Sequence, residues 1–122
     1  MKKSALIVDD EIGLREVLTE LLHIWDFEVI EAESGEQALE CVANTEETFD
    51  LIFIDVNLPG LSGRELFERL QPDFPQASYI LMSGFDREQN AAELPESEDY
   101  IYLKKPFRVG ELKDLIDRLL TQ

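Results

Sequence analysis

Five short apolar runs alternate along this chain with segments of helical hydrophobic period, and that alternation limits the fold more than any other feature. The runs are Ser4–Val8, Phe27–Ile30, Leu51–Ile54, Ser78–Met82 and Tyr100–Leu103. Each is too short for a buried helix and carries β-branched or aromatic residues, so each reads as a strand. Between the first two, Leu14, Val17, Leu18, Leu21, Leu22 and Trp25 recur at the spacing of one helix face. Ser34 with Gln37, and Ser62 with Glu65, form capping-box patterns that open two further helices. Asp86 with Gln89 opens a weaker, more polar helix, whose length Pro95 limits. Pro106 opens the last, with Leu112, Leu115, Ile116, Leu119 and Leu120 on one face. Strand–helix alternation predicts an α/β fold: a doubly wound, three-layer (βα)5 arrangement with a parallel sheet covered on both faces. Leu51–Ile54 has no polar residue and suits a central strand buried on both sides.

In such sheets ligands bind beyond the carboxyl ends of the strands. The residues there are Asp9 and Asp10 after the first strand, Asp55 after the third, Ser83 and Gly84 after the fourth, and Lys105 and Pro106 after the fifth. A parallel sheet gathers three carboxylates, a hydroxyl and an ammonium at one edge. Two unit charges ~5 Å apart repel by roughly 3 kcal/mol at an effective dielectric of about 20, so the carboxylates call for a cation. All-oxygen ligands in a shallow, hydrated site suit Mg2+. Beside such an ion an aspartate can attack phosphorus as a nucleophile. Lys105 can neutralise a phosphoryl oxygen, Ser83 can donate a hydrogen bond to another, and Gly84 leaves room beside it.

Composition narrows the alternatives. Eleven Lys+Arg against 27 Asp+Glu give a net charge of −16, which disfavours direct contact with nucleic acid or an anionic membrane surface. No apolar run approaches the ~18 residues of a membrane span. The lone Cys41 and lone His23 leave no disulfide framework and no His-rich zinc site.

Four motifs in order carry a family resemblance: Asp9-Asp10, Asp55 before Leu58-Pro59-Gly60-Leu61-Ser62-Gly63, Ser83-Gly84, and Lys104-Lys105-Pro106-Phe107. Over nearly its whole length the chain resembles the receiver (response-regulator) domain of two-component signalling. The resemblance implies a flavodoxin-like sheet of order 2-1-3-4-5. It implies that Asp55 is the phosphoacceptor, taking its phosphoryl group from a phosphohistidine. It implies that Asp9, Asp10, Asp55 and the backbone carbonyl of Asn57 hold Mg2+ (or Mn2+ in its place), Asp10 directly and Asp9 through water. Ser83, Gly84 and Lys105 would contact the phosphoryl group. Ser83 and Tyr102 would form the switch, and the Lys105–Pro106 peptide would be cis. Leu58, Ser62, Ser83 and Gly84 stand where the family more often has Met, Asp, Thr and Ala.

On this reading residues 1–122 are a single receiver domain without an output domain, in the cytoplasm. Its partners are a sensor histidine kinase or histidine phosphotransfer protein and a downstream protein. The downstream protein would meet the face formed by the fourth helix, fifth strand and fifth helix, and the chain itself would be a monomer or a weak phosphorylation-dependent dimer. Two enzyme or carrier readings fit less well. A haloacid-dehalogenase-like phosphohydrolase would need an acid where Asn57 stands. A flavin or dinucleotide carrier would need a Gly-rich loop where Asp9-Asp10-Glu11 presents anions.

Overall fold

The computed structural model describes residues 2–121. Its elements are β1 (Lys3–Val8), α1 (Ile12–Ile24), β2 (Phe27–Ala32), α2 (Gly35–Ala43), β3 (Leu51–Asp55), α3 (Gly63–Leu70), β4 (Ser78–Ser83), a 3-10 turn (Ala91–Glu93), β5 (Ile101–Lys104) and α4 (Val109–Leu120). The strands pair in parallel in the order β2-β1-β3-β4-β5. Alternate strand residues feed opposite faces. On one face Leu6, Ile52, Ile54 and Leu81 pack with Ala38, Leu66, Phe67 and Leu70 of α2 and α3. On the other, Ile7, Phe53, Ile80 and Met82 pack with Leu18, Leu22, Leu112 and Ile116 of α1 and α4. These are the three layers the alternation requires.

The capping signals act as the sequence suggests. Ser34 Oγ accepts from the Gln37 N–H at 3.0 Å, and Ser62 Oγ from the Glu65 N–H at 3.2 Å. The fourth helix does not form, so among the described residues the layers hold four α-helices and one 3-10 turn. Of the Asp86–Gln89 pair only the bond from the Asp86 N–H to Gln89 Oε1 forms, at 2.9 Å, while the Asp86 carboxylate pairs with Lys104 Nζ at 2.6 Å. Between Phe85 and Tyr100 only Leu94 offers a large apolar side chain to a core, too little burial to hold an amphipathic helix. The last helix begins at Val109, three residues beyond Pro106. Val17, at helical spacing with the buried face of α1, is nonetheless 51% exposed.

Strand register sets the functional edge. Val8 lies opposite Ile54, Asp55 opposite Met82, and Ser83 opposite Lys104. Asp9, Asp55, Ser83 and Lys105 therefore emerge together where the strands end. The last bonds there run from Asp9 N–H to Ala32 O (3.1 Å), Val56 N–H to Met82 O (2.9 Å) and Lys105 N–H to Ser83 O (2.7 Å).

Candidate functional site

Asp9 is fully buried. Its Oδ1 accepts from the Glu11 N–H at 2.9 Å, and its Oδ2 from Lys105 Nζ at 2.7 Å. Arg15 fixes the same corner. Its Nη1 donates to the Asp9 carbonyl at 2.7 Å and its Nε lies 3.4 Å from Glu31, which ties the ends of β1 and β2 to α1.

Asp55 ends β3 almost completely buried. Its Oδ1 accepts from the Asn57 N–H at 3.0 Å, and its Oδ2 lies 3.5 Å from Lys105 Nζ. Burial pushes its carboxyl pKa up. The Asn57 N–H and Lys105 pull it down, Asp9 and Asp10 push it up again, and the net direction is upward.

Lys105 links the carboxylates: its Nζ lies 2.7 Å from Asp9, 3.3 Å from Glu11 and 3.5 Å from Asp55. Burial alone would lower its pKa; the hydrogen bond to Asp9 and the charges of Asp55 and Asp9 more than reverse this. The ammonium thus offsets part of the negative charge at the acidic edge. Asp9, Glu11 and Asp55 each present a carboxylate oxygen, and these oxygens lie within 4.8 Å of one another. Such an all-oxygen donor set fits a hard divalent ion. Asp10 is exposed and stands outside that trio, although its charge is felt at Asp55. Sequence reasoning passed over Glu11, whose signal was its place directly after the aspartate pair.

Ser83 is fully buried and fully engaged. Its hydroxyl donates to Asn57 Oδ1 at 2.8 Å and accepts from the Phe85 N–H and from Asn90 Nδ2, each at 3.1 Å. Gly84 is exposed, and a Cβ built on it meets nothing within 4 Å. Tyr102 is half-buried, and its hydroxyl donates to the Phe85 carbonyl. The Lys105–Pro106 peptide is cis. Beside Lys105, Leu14, Val17, Pro106, Phe107 and Val109 line an open apolar groove between α1 and the start of α4.

The response regulator receiver domain family matches residues 5–117. The chain belongs to this family. Among relatives of this receiver domain, the response regulator protein FleR of Pseudomonas aeruginosa is 33% identical over 118 residues, 97% of this chain and 24% of FleR. Sporulation initiation phosphotransferase F of Bacillus subtilis is 30% identical over 120 residues, 98% of this chain and 95% of that protein. The chain therefore spans about a quarter of the first relative and nearly all of the second. Among solved structures, the response regulator TrrA of Thermotoga maritima, in complex with Mg2+ and BeF, superposes with a TM-score of 0.77 at 31% identity, covering 97% of this chain and 99% of TrrA. Among the described residues no helix is long and apolar enough to cross a membrane.

Proposed function

We propose that Asp55 of this receiver domain takes a phosphoryl group from a phosphohistidine, carried by a sensor histidine kinase or a histidine phosphotransfer protein. One observation carries this reading: the Asp55 carboxylate is oriented by the Asn57 N–H at 3.0 Å and faced by the Lys105 ammonium at 3.5 Å. In the reaction an Asp55 oxygen bonds to phosphorus as the donor's P–N bond breaks, and that bond's electron pair stays on the imidazole nitrogen. Lys105 neutralises a phosphoryl oxygen. Ser83 turns its hydroxyl to another, with Gly84 open beside it. Asp9, Asp10, Asp55 and the Asn57 carbonyl would hold Mg2+ or Mn2+, with Glu11 alongside. The ion, when bound, offsets phosphoryl charge at this acidic edge. TrrA's complex with Mg2+ and BeF supports that assignment.

The apolar groove of Leu14, Val17, Pro106, Phe107 and Val109 adjoins Lys105 and would seat a helix of the phosphohistidine donor. Phosphorylation adds close to two negative charges. Ser83 and Tyr102, both bonded to Phe85, pass that change to the surface formed by the residue 85–94 crossover, β5 and α4, where a downstream protein binds. The only chemistry assigned to the chain is its own phosphorylation and dephosphorylation.

The test is intact mass after incubation with acetyl phosphate, with and without Mg2+. The wild type should gain one phosphoryl mass only with Mg2+, and Asp55→Asn should gain none. An unmodified wild type that also fails to bind beryllofluoride would leave a binding-only domain.

A further inference from the structure

Asn90 has no place in the chemistry described above, yet it is 4% exposed in a crossover that is otherwise largely solvated. Its side chain reaches back to the site. Nδ2 donates to Ser83 Oγ at 3.1 Å, and Oδ1 lies 3.5 Å from Asn57 Nδ2. Asn57 Oδ1 in turn accepts from Ser83 Oγ at 2.8 Å. The three side chains close a ring. Within it the Ser83 hydroxyl uses its one proton on Asn57 and both lone pairs on Asn90 and the Phe85 N–H. That hydroxyl cannot donate to a phosphoryl group on Asp55 while the ring is intact.

The backbone of Asn90 is the hub of the crossover. Its N–H faces the carbonyls of Asp86 and Arg87, each at 3.2 Å, and its carbonyl accepts from the Glu93 N–H at 2.9 Å. We infer that Asn90 is a positioning residue that latches Ser83 away from Asp55 and makes the crossover respond when Ser83 leaves. When Ser83 turns toward a phosphoryl group, Asn90 Nδ2 loses its acceptor in a buried place. A buried donor without a partner is costly, so the side chain and the turns 86–94 hung on its backbone must shift. In the absence of a fourth helix this latch connects the site to the 85–94 surface.

The inference rests on the Asp55 reading, and its test separates the two. Full-length wild type and Asn90→Ala are titrated with beryllofluoride in excess Mg2+, and amide hydrogen exchange is followed along the chain. In the wild type, binding should speed exchange at residues 87–94. In Asn90→Ala those amides should exchange fast beforehand and respond no further. The variant should bind beryllofluoride about fivefold tighter, as expected for losing one neutral hydrogen bond that holds the resting state. A variant weakened only in its fold would bind less tightly. In the wild type alone, the Asn90 side-chain amide resonance should shift on binding, which keeps the test available if the variant does not fold. An unmoved Asn90 resonance, or an unchanged crossover response in Asn90→Ala, overturns the latch and leaves the Asp55 reading standing. A wild type that binds no beryllofluoride overturns both.

Discussion

A Cβ on Gly63 would stand 2.4 Å from the carbonyl oxygen of Asp55 and 2.7 Å from Cα of Val56. The first turn of α3 thus lies directly against the backbone of Asp55 and Val56. The Gly63 N–H also bonds the Val56 carbonyl at 3.3 Å. Both obstructing atoms are backbone, so neither can swing aside.

Gly63→Ala must push α3 away from the end of β3. Forcing atoms into a filled space typically costs about 1–3 kcal/mol, and the upper end is expected here. Urea denaturation should show that loss, and acetyl phosphate labelling of Asp55 should slow, because Asp55 and Asn57 move with the displaced strand end. A variant of wild-type stability would show that α3 is not held against β3 in this way.

Lys105→Met removes the ammonium that lies 2.7 Å from the fully buried Asp9. Asp9 would keep the Glu11 N–H but lose its counter-charge. Removing one partner of a buried pair costs about 3 kcal/mol or more. The loss should appear in EDTA at neutral pH. Added Mg2+ should stabilise the variant more than the wild type, because the lysine no longer occupies the carboxylates. Equal gains in the two proteins would mean that Lys105 and the ion do not share those oxygens.

The strands and the site edge were legible in the sequence because both rest on local signals. Short apolar runs mark the strands. With parallel pairing, the residues just past each run must meet, so Asp9, Asp55, Ser83 and Lys105 could be assembled on paper. What stayed hidden depends on three-dimensional competition for partners. Asp86 looks like a helix cap, but Lys104, 18 residues away, takes its carboxylate. Asn90 looks like one more polar loop residue until the crossover folds it under Ser83. Arg15 sits at an ordinary helix position, and nothing in its spacing announces the Asp9 carbonyl. Val17 fits the helical period of the buried face and is still half-exposed, on the open groove beside Phe107 and Val109.

Thr19 lies within α1, and its hydroxyl oxygen is buried without a hydrogen-bond partner among the described residues. An unsatisfied hydroxyl forfeits its hydration, and Val replaces it with a methyl of nearly the same shape. Thr19→Val should therefore stabilise the chain by about 1 kcal/mol in urea denaturation. Phosphorylation of Asp55 should not change. A destabilised variant would mean that the hydroxyl has a partner, such as an ordered water.

The raised pKa of Asp55 fixes the pH dependence of its substitution. Burial is the largest cause, and it outweighs the Asn57 N–H and Lys105. A carboxyl whose folded pKa lies above its unfolded value binds its proton more tightly in the native state. That contribution to stability is fully present below the ordinary value of 3.8. It is lost as pH rises through the folded value, where the buried group must ionise. Asn at this position keeps an oxygen for the Asn57 N–H and never ionises. Without divalent ions, the stability of Asp55→Asn relative to wild type should therefore climb as pH rises from about 4 and then level off, leaving the variant the more stable protein at neutral pH. Urea midpoints across that range, measured in EDTA, check both the sign and the window. Mg2+ should reverse the order at neutral pH, since the variant has given up a carboxylate oxygen. If the variant instead loses ground as pH rises in EDTA, the pairing of Asp55 with Lys105 outweighs its burial.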